Sequence, residues 1–227
     1  AYEIVSRDWS SDVCSSDLFS VLAHSIYTRA STPVSVTPLM LTALTGAMTR
    51  ERHHLQSTDF AFSRFLVPYL CDYQGWALFM DCDMLMREDI ARLWALRDDT
   101  YAVQVVKHDH RPREETKFLG QKQTAYPKKN WSSVMLFNNA RCQSLTLEYV
   151  NAASGLDLHQ FKWLPDEALI GGLPGQWNHL VGYDAASTAA ALAHFTLGGP
   201  YFEEYRDCEF ADEWRAEREL MLSAAGR

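Results

Sequence analysis

The run LFMDCDMLM, Leu78 to Met86, carries two aspartates one residue apart in an otherwise apolar stretch. Side chains alternate across an extended strand, so Asp81 and Asp83 would point one way and Cys82 the other. Two carboxylates that close repel, and a divalent cation relieves the repulsion. Hard oxygen ligands suit magnesium or manganese, ions that also bind substrate phosphates. At the carboxyl end of a buried parallel strand the pair would sit in the crevice where open α/β sheets bind ligands. The structural alternative is that Asp83 caps the following turn and Asp81 pairs with an arginine.

The elements that would position this pair alternate along the chain. FSVLAHSIYTRAS reads as a helix ending before Pro33, and PVSVTPLM as a strand. STDFAFSRFLVPYLCDY, from Ser57, reads as a helix that Pro68 shortens or bends, leading into the apolar run at GWALFMDCDMLM. EDIARLWALR is a helix, YAVQVVKHD and NWSSVMLFN are strands, LTLEYVNAAS is a helix, QWNHLV and AALAHFTL are strand candidates, and ADEWRAERELMLS is a charged helix. Strands alternating with helices imply an α/β fold with a mainly parallel sheet covered on both faces. The long polar connection from His108 to Asn130 is of a length that is functional or mobile.

Four separated segments, in order, resemble the GT-A-fold sugar-nucleotide glycosyltransferases and, within them, the family 8 retaining enzymes. They are FAFSRFLVP (Phe60 to Pro68), FMDCDML, WLPDEALIGGLPGQWN and AHFTLGGPY. The resemblance implies a Rossmann-like GT-A sheet and a manganese or magnesium ion on Asp81, Asp83 and His194. It implies donor contacts from Arg64, Asp81, Ser132, Ser133, Gly198 and Gly199, and catalytic roles for Asp166 and Glu167 beside the sugar. It further implies transfer of a hexose from a nucleoside-diphosphate sugar, UDP-linked, to a glycan or lipid-linked acceptor with retention, in building a bacterial surface glycan such as lipopolysaccharide. Retention is open to two routes: front-face attack, or a covalent glycosyl-enzyme on Glu167. The chain departs from the family's Asn-Ser-Gly at Trp131-Ser132-Ser133, from its late Lys at Tyr201-Phe202, and from its Asp-Gln-Asp at Asp166-Glu167-Ala168.

Each of these residues has a structural alternative. His194 inside an apolar strand could be a hydrogen-bonded core residue, Arg64 a salt-bridge partner, and Asp166 an N-cap. Trp131, Trp163 and Trp177 read as core, and Lys107 to His110 as a solvated loop, the alternative being contact with an acceptor. Two rival functions stand beside the transferase: a nucleotidyl- or phosphotransfer enzyme on a similar sheet, and a non-catalytic carbohydrate-binding relative.

The 227-residue chain has a formal net charge of −8. Its first 18 residues contain RDWSSDVCSSDL, which resembles a translated sequencing adapter, and the residues before it fit the same origin. On that reading residues 1–18 are not native, residues 19–227 form a single glycosyltransferase domain, and the first strand of the fold is missing, its true sequence lying upstream of Phe19. Without that stretch the net charge is −5, and no Lys/Arg block marks a nucleic-acid footprint. Cys71, Cys82, Cys142 and Cys208 lack zinc or redox spacing and read as free thiols in a reducing compartment. No apolar run reaches membrane-spanning length, so the expected setting is the cytoplasm or the inner face of a membrane.

Overall fold

The computed structural model describes residues 2–7, 14–50, 62–109 and 127–225. The first strand, β1 (Tyr2–Arg7), is followed by the helix α1 (Cys14–Arg29) and β2 (Val34–Leu39). The segment around Arg64 is a tight turn of helix, Ser63–Leu66, running into the short α2 (Val67–Leu70). Pro68 lies in the first turn of α2, where a missing N–H costs no hydrogen bond. The sequence predicts a helix from Ser57; residues 57–61 lie outside the described residues. So does most of the polar connection after His108.

Next come β3 (Trp76–Met80), β4 (Met84–Met86), α3 (Ile90–Trp94), β5 (Val103–Val105) and β6 (Val134–Asn138). Two small helices, α4 (Leu147–Ala152) and α5 (Gly155–His159), lead to β7 (Ile170–Gly172), β8 (His179–Leu180), β9 (Leu192–His194) and the closing helix α6 (Ala211–Ala225). The main sheet has the order β2-β1-β3-β6-β5-β7. Its β1–β2, β1–β3 and β5–β7 pairings are parallel, and β6 alone runs against both neighbours. The expected α/β, mainly parallel sheet is therefore present with one reversed strand. A second sheet, β4-β9-β8, stands at the end of β3.

The central strands bury both faces, which explains their continuous apolar sequence. Along β3, Ala77 and Phe79 join one core with Phe65, Met135 and Phe137, while Leu78 and Met80 join the other with Leu22, Ile26, Val134 and Leu136. The alternation is the two-residue period of a strand applied to two cores at once. α1 and α6 are held together by buried Glu217, whose carboxylate meets Arg29 at 2.8 Å and His24 at 2.5 Å.

One expectation is corrected. The place of the first strand is filled, because Tyr2–Arg7 pairs in register with β2 and, through Ile4–Ser6, with β3. The physical reason is that Tyr2, Ile4 and Val5 are strand formers, and β1 ends at Arg7, where the run that resembles an adapter begins.

Candidate metal centre

β3 ends at Met80, and Asp81, Cys82 and Asp83 form the bend between it and β4. The two aspartates are thus not alternate residues of one strand, as their spacing suggested. They converge because the chain turns into a second sheet: Met84 pairs with His194 across β4 and β9, and Phe195 N donates to Asp83 O at 2.9 Å. One ligand atom each from Asp81, Asp83 and His194 lie within 4.8 Å of one another. Asp83 Oδ1 is 3.6 Å from His194 Nε2.

Asp81 is also the partner of Arg64. The guanidinium donates to Asp81 Oδ1 at 2.9 Å and Oδ2 at 3.4 Å, and to the carbonyl of Ser132 at 2.6 Å. Both side chains are nearly buried, at 6% and 10% exposure, and the guanidinium lies 5.0 Å from the Phe79 ring centre. The two candidate readings of Asp81, arginine partner and metal ligand, meet in one residue. They are compatible, since a carboxylate has about four lone-pair directions.

The orientation of His194 can be derived. Asn178 is fully buried, and one end of its amide donates to the Asn130 carbonyl at 3.2 Å and to Ser133 Oγ at 2.9 Å. A carbonyl only accepts, so that end is the NH2 and the amide oxygen faces His194 Nδ1 at 2.9 Å. Nδ1 therefore carries the proton, and the Nε2 lone pair is turned toward Asp83. This is how a protein presents imidazole to a metal.

The residues fit a divalent ion: two carboxylates and an imidazole whose free lone pair is held in place, a donor set suited to manganese or magnesium. Replacing Asn178 with Ala is expected to weaken manganese binding by about 10–100-fold, the usual effect of removing an outer-shell partner. Titration followed by the free-ion spin-resonance signal, with a melting curve to show that the variant folds, is the check. Unchanged affinity would mean that Asn178 does not orient the imidazole.

Ser132 and Ser133 lie directly behind the cluster. Ser133 Oγ donates to Asn130 O at 2.6 Å and its carbonyl accepts from Asp81 N at 3.0 Å, while Ser132 Oγ is 2.7 Å from His159 Nδ1. Asn130 adopts left-handed backbone, φ 64°, which turns its carbonyl toward both Asn178 and Ser133. Gly198 and Gly199 follow β9. Gly198 has φ 136°, and a Cβ there would come within 2.6 Å of the Tyr205 ring, so close packing alone accounts for that glycine.

Asp166 and Glu167 are not drawn to the cluster by any of these contacts. They occupy the turn entering β7, a strand that runs parallel to β5 and in the same sense as β3, so they lie toward its amino end while Asp81 leaves the carboxyl end of β3. Asp166 caps the turn by accepting from Ala168 N at 2.9 Å, and Glu167, 81% exposed, pairs with Lys128 at 2.5 Å. Asn178, which meets His194, Asn130, which accepts from Asn178, and His159, which meets Ser132, had no role assigned from sequence.

No family model matches the chain. Among curated proteins, Protein CDI of Arabidopsis thaliana is 48% identical over 210 residues, covering 88% of this chain and 81% of that protein. The chain belongs to the Protein CDI family. Among solved structures, the bifunctional glycosyltransferase WbbM superposes with a TM-score of 0.66 at 14% identity, covering 96% of this chain and 49% of WbbM. The glycosyltransferase GlyE of Streptococcus pneumoniae TIGR4 gives 0.63 at 11% identity, over 99% of this chain and 63% of that one. An active-site mutant of LgtC gives 0.60 at 13% identity, over 96% and 95%. The chain thus spans about half the length of WbbM and nearly all of LgtC. The fold is that of the GT-A glycosyltransferases. The curated relative is a plant protein and lends no support to a bacterial surface-glycan role. Among the described residues no helix is long and apolar enough to cross a membrane, and no cysteine is in a disulfide.

Proposed function

We propose that the protein is a divalent-metal-dependent glycosyltransferase, similar to the retaining family 8 enzymes, which moves a sugar from a nucleoside-diphosphate donor to a hydroxyl acceptor. The observation that carries this reading is the convergence of Asp81, Asp83 and His194 on one point at the end of β3 in a GT-A fold. In the reaction the bond from the anomeric carbon to the diphosphate oxygen breaks, a bond to the acceptor oxygen forms, and the acceptor proton leaves with the diphosphate.

A manganese or magnesium ion on the three side chains would supply positive charge to the leaving diphosphate. The protein's own residues prepare that site. Arg64 locks the Asp81 carboxylate and adds cationic charge in a nearly water-free setting, where it acts most strongly. Asn178 holds His194 in the tautomer with a free Nε2 lone pair. Ser132 and Ser133 back the cluster, and Gly198 and Gly199, which follow β9, are donor contacts by the family resemblance. UDP is the nucleotide that the family resemblance suggests. The test is a panel of nucleotide sugars assayed for manganese-dependent release of nucleoside diphosphate. Release from at least one donor, abolished by chelation, supports the reading, and none from any donor contradicts it.

The exposed ion pair of Glu167 with Lys128 favours front-face attack over a covalent intermediate, because a nucleophile must touch the anomeric carbon. Glu167→Gln is therefore expected to keep turnover within about threefold of the parent, whereas an essential nucleophile would lose several orders of magnitude. Single-turnover assays decide it: a dead variant that still binds donor restores Glu167 as nucleophile.

A further inference from the structure

His159, the last residue of α5, joins the two segments that fix Arg64. Its Nδ1 lies 2.7 Å from Ser132 Oγ, and the carbonyl of Ser132 accepts from the Arg64 guanidinium at 2.6 Å. Its ring meets Phe65 edge-on at 5.3 Å between centres and Phe62 at 5.8 Å, and these two phenylalanines flank Arg64 in sequence. One imidazole thus touches both the segment that carries the guanidinium and the segment that carries its acceptor.

Those segments need such a tie. An arginine side chain gives up much rotamer freedom when it is held in one place, so the fixed acceptors around it set its direction. Asp81 supplies two of them, but its carboxylate belongs to the candidate metal cluster. The Ser132 carbonyl is an acceptor outside that cluster. It sits in a single turn, Trp131–Ser133, whose bond from Ser133 N to Asn130 O is long, at 3.4 Å. One turn of this tight helix has poor hydrogen-bond geometry and holds its own carbonyls weakly. The Ser132 side chain, bonded to His159, supplies the missing anchor.

α5 is a firm base for that anchor. Its Leu158 shares a core with Phe62 and Phe65, and Gly155 lets the Phe62 ring close onto the helix, since a Cβ there would come within 2.8 Å of the ring. Just beyond His159, the carbonyl of Gln160 accepts from Lys128 Nζ at 3.0 Å, so the end of α5 grips the chain before Ser132 at a second point.

We propose that His159 is a positioning residue: through the hydroxyl of Ser132 it holds the Ser132 carbonyl where the Arg64 guanidinium is locked against Asp81. The consequence for sugar transfer rests on the glycosyltransferase reading; the locking of Arg64 does not.

The experiment uses the full chain, labelled with nitrogen-15 in arginine, without metal or donor. Side-chain NMR reports how fast a guanidinium rotates about its Nε–Cζ bond, and the Arg64 signals are assigned by their loss in Arg64→Met. In the parent this rotation is expected to be slow. His159→Phe keeps a ring against Phe62 and Phe65 but has no nitrogen, and rotation in it is expected to be at least about tenfold faster, the rate change that corresponds to about one hydrogen bond. Ser132→Ala, which removes only an oxygen, should match it, and the two changes together should add nothing further. His159→Asn returns a polar group to the hydroxyl and should recover slow rotation. A purely structural role for His159 would lower the melting temperature in these variants and leave the Arg64 signals as they are in the parent. Fast rotation in the parent, unchanged rotation in His159→Phe and Ser132→Ala, or rotation in His159→Asn as fast as in His159→Phe overturns the proposal. Manganese-dependent diphosphate release is followed on the same preparations. An Arg64 freed in His159→Phe, with no nucleotide sugar turned over by the parent, would uphold the positioning role and refute the transferase reading, so the two failures are distinguishable.

Discussion

Asp83→Ala is expected to abolish manganese binding and to lower sugar transfer by more than about a hundredfold, because the loss of an outer-shell partner alone reaches that figure. The fold should survive. Asp83 sits in a bend outside the apolar cores, and its backbone carbonyl, not its side chain, makes the bond to Phe195 N. Removing one carboxylate from a pair held this close also removes a repulsion. The metal-free melting temperature should therefore hold or rise. Calorimetry and metal titration on the same preparation test both halves. A variant that keeps full turnover in manganese would show that the ion is not held here.

Arg64→Met should give the largest stability effect of any single change near the site. Arg64 and Asp81 are buried together, and removing the cation takes away the buried counter-charge of the carboxylate, a change that typically costs about 3–5 kcal/mol. Methionine preserves most of the side-chain length over Phe79, so the loss reports charge more than packing. A bound divalent ion would restore positive charge beside Asp81. The variant is thus expected to melt well below the parent without metal and to gain more from manganese than the parent does. Equal melting temperatures, or an equal gain on adding manganese, would mean that Arg64 does not neutralise Asp81.

The parts of the fold that were readable in the sequence are those whose physics is local. β3 and β6 are buried on both faces, so their continuous apolar runs gave them away. The tight capping of Asp166 was legible as one of two readings, and its carboxylate does accept from Ala168 N. The convergence of Asp81 and Asp83 was anticipated on the wrong geometry. A two-residue spacing suggested one strand face, whereas the chain bends at Asp81 and the pairing of β4 with β9 brings the acids together. That pairing joins residues more than a hundred positions apart, and no local pattern announces it. β7, β8 and β9 are two or three residues long, too short for periodicity to distinguish.

Asn178 was invisible as a positioning residue for the same reason. A buried asparagine looks like any other until the carbonyl that fixes its amide is known, and that carbonyl belongs to Asn130, 48 residues away. β1 is not expected from the sequence because residues 1–18 resemble an adapter and are set aside together, whereas Tyr2–Arg7 pairs with β2 and Ile4–Ser6 with β3.

The central claim is that Asp81, Asp83 and His194 together hold one divalent ion in this GT-A fold. The most direct measurement is pulsed electron paramagnetic resonance on the protein loaded with a stoichiometric amount of manganese. A single bound ion is expected, its spectrum carrying a nitrogen coupling from one imidazole that vanishes in His194→Gln. Bound manganese without a nitrogen coupling, or a coupling that persists in His194→Gln, would contradict it.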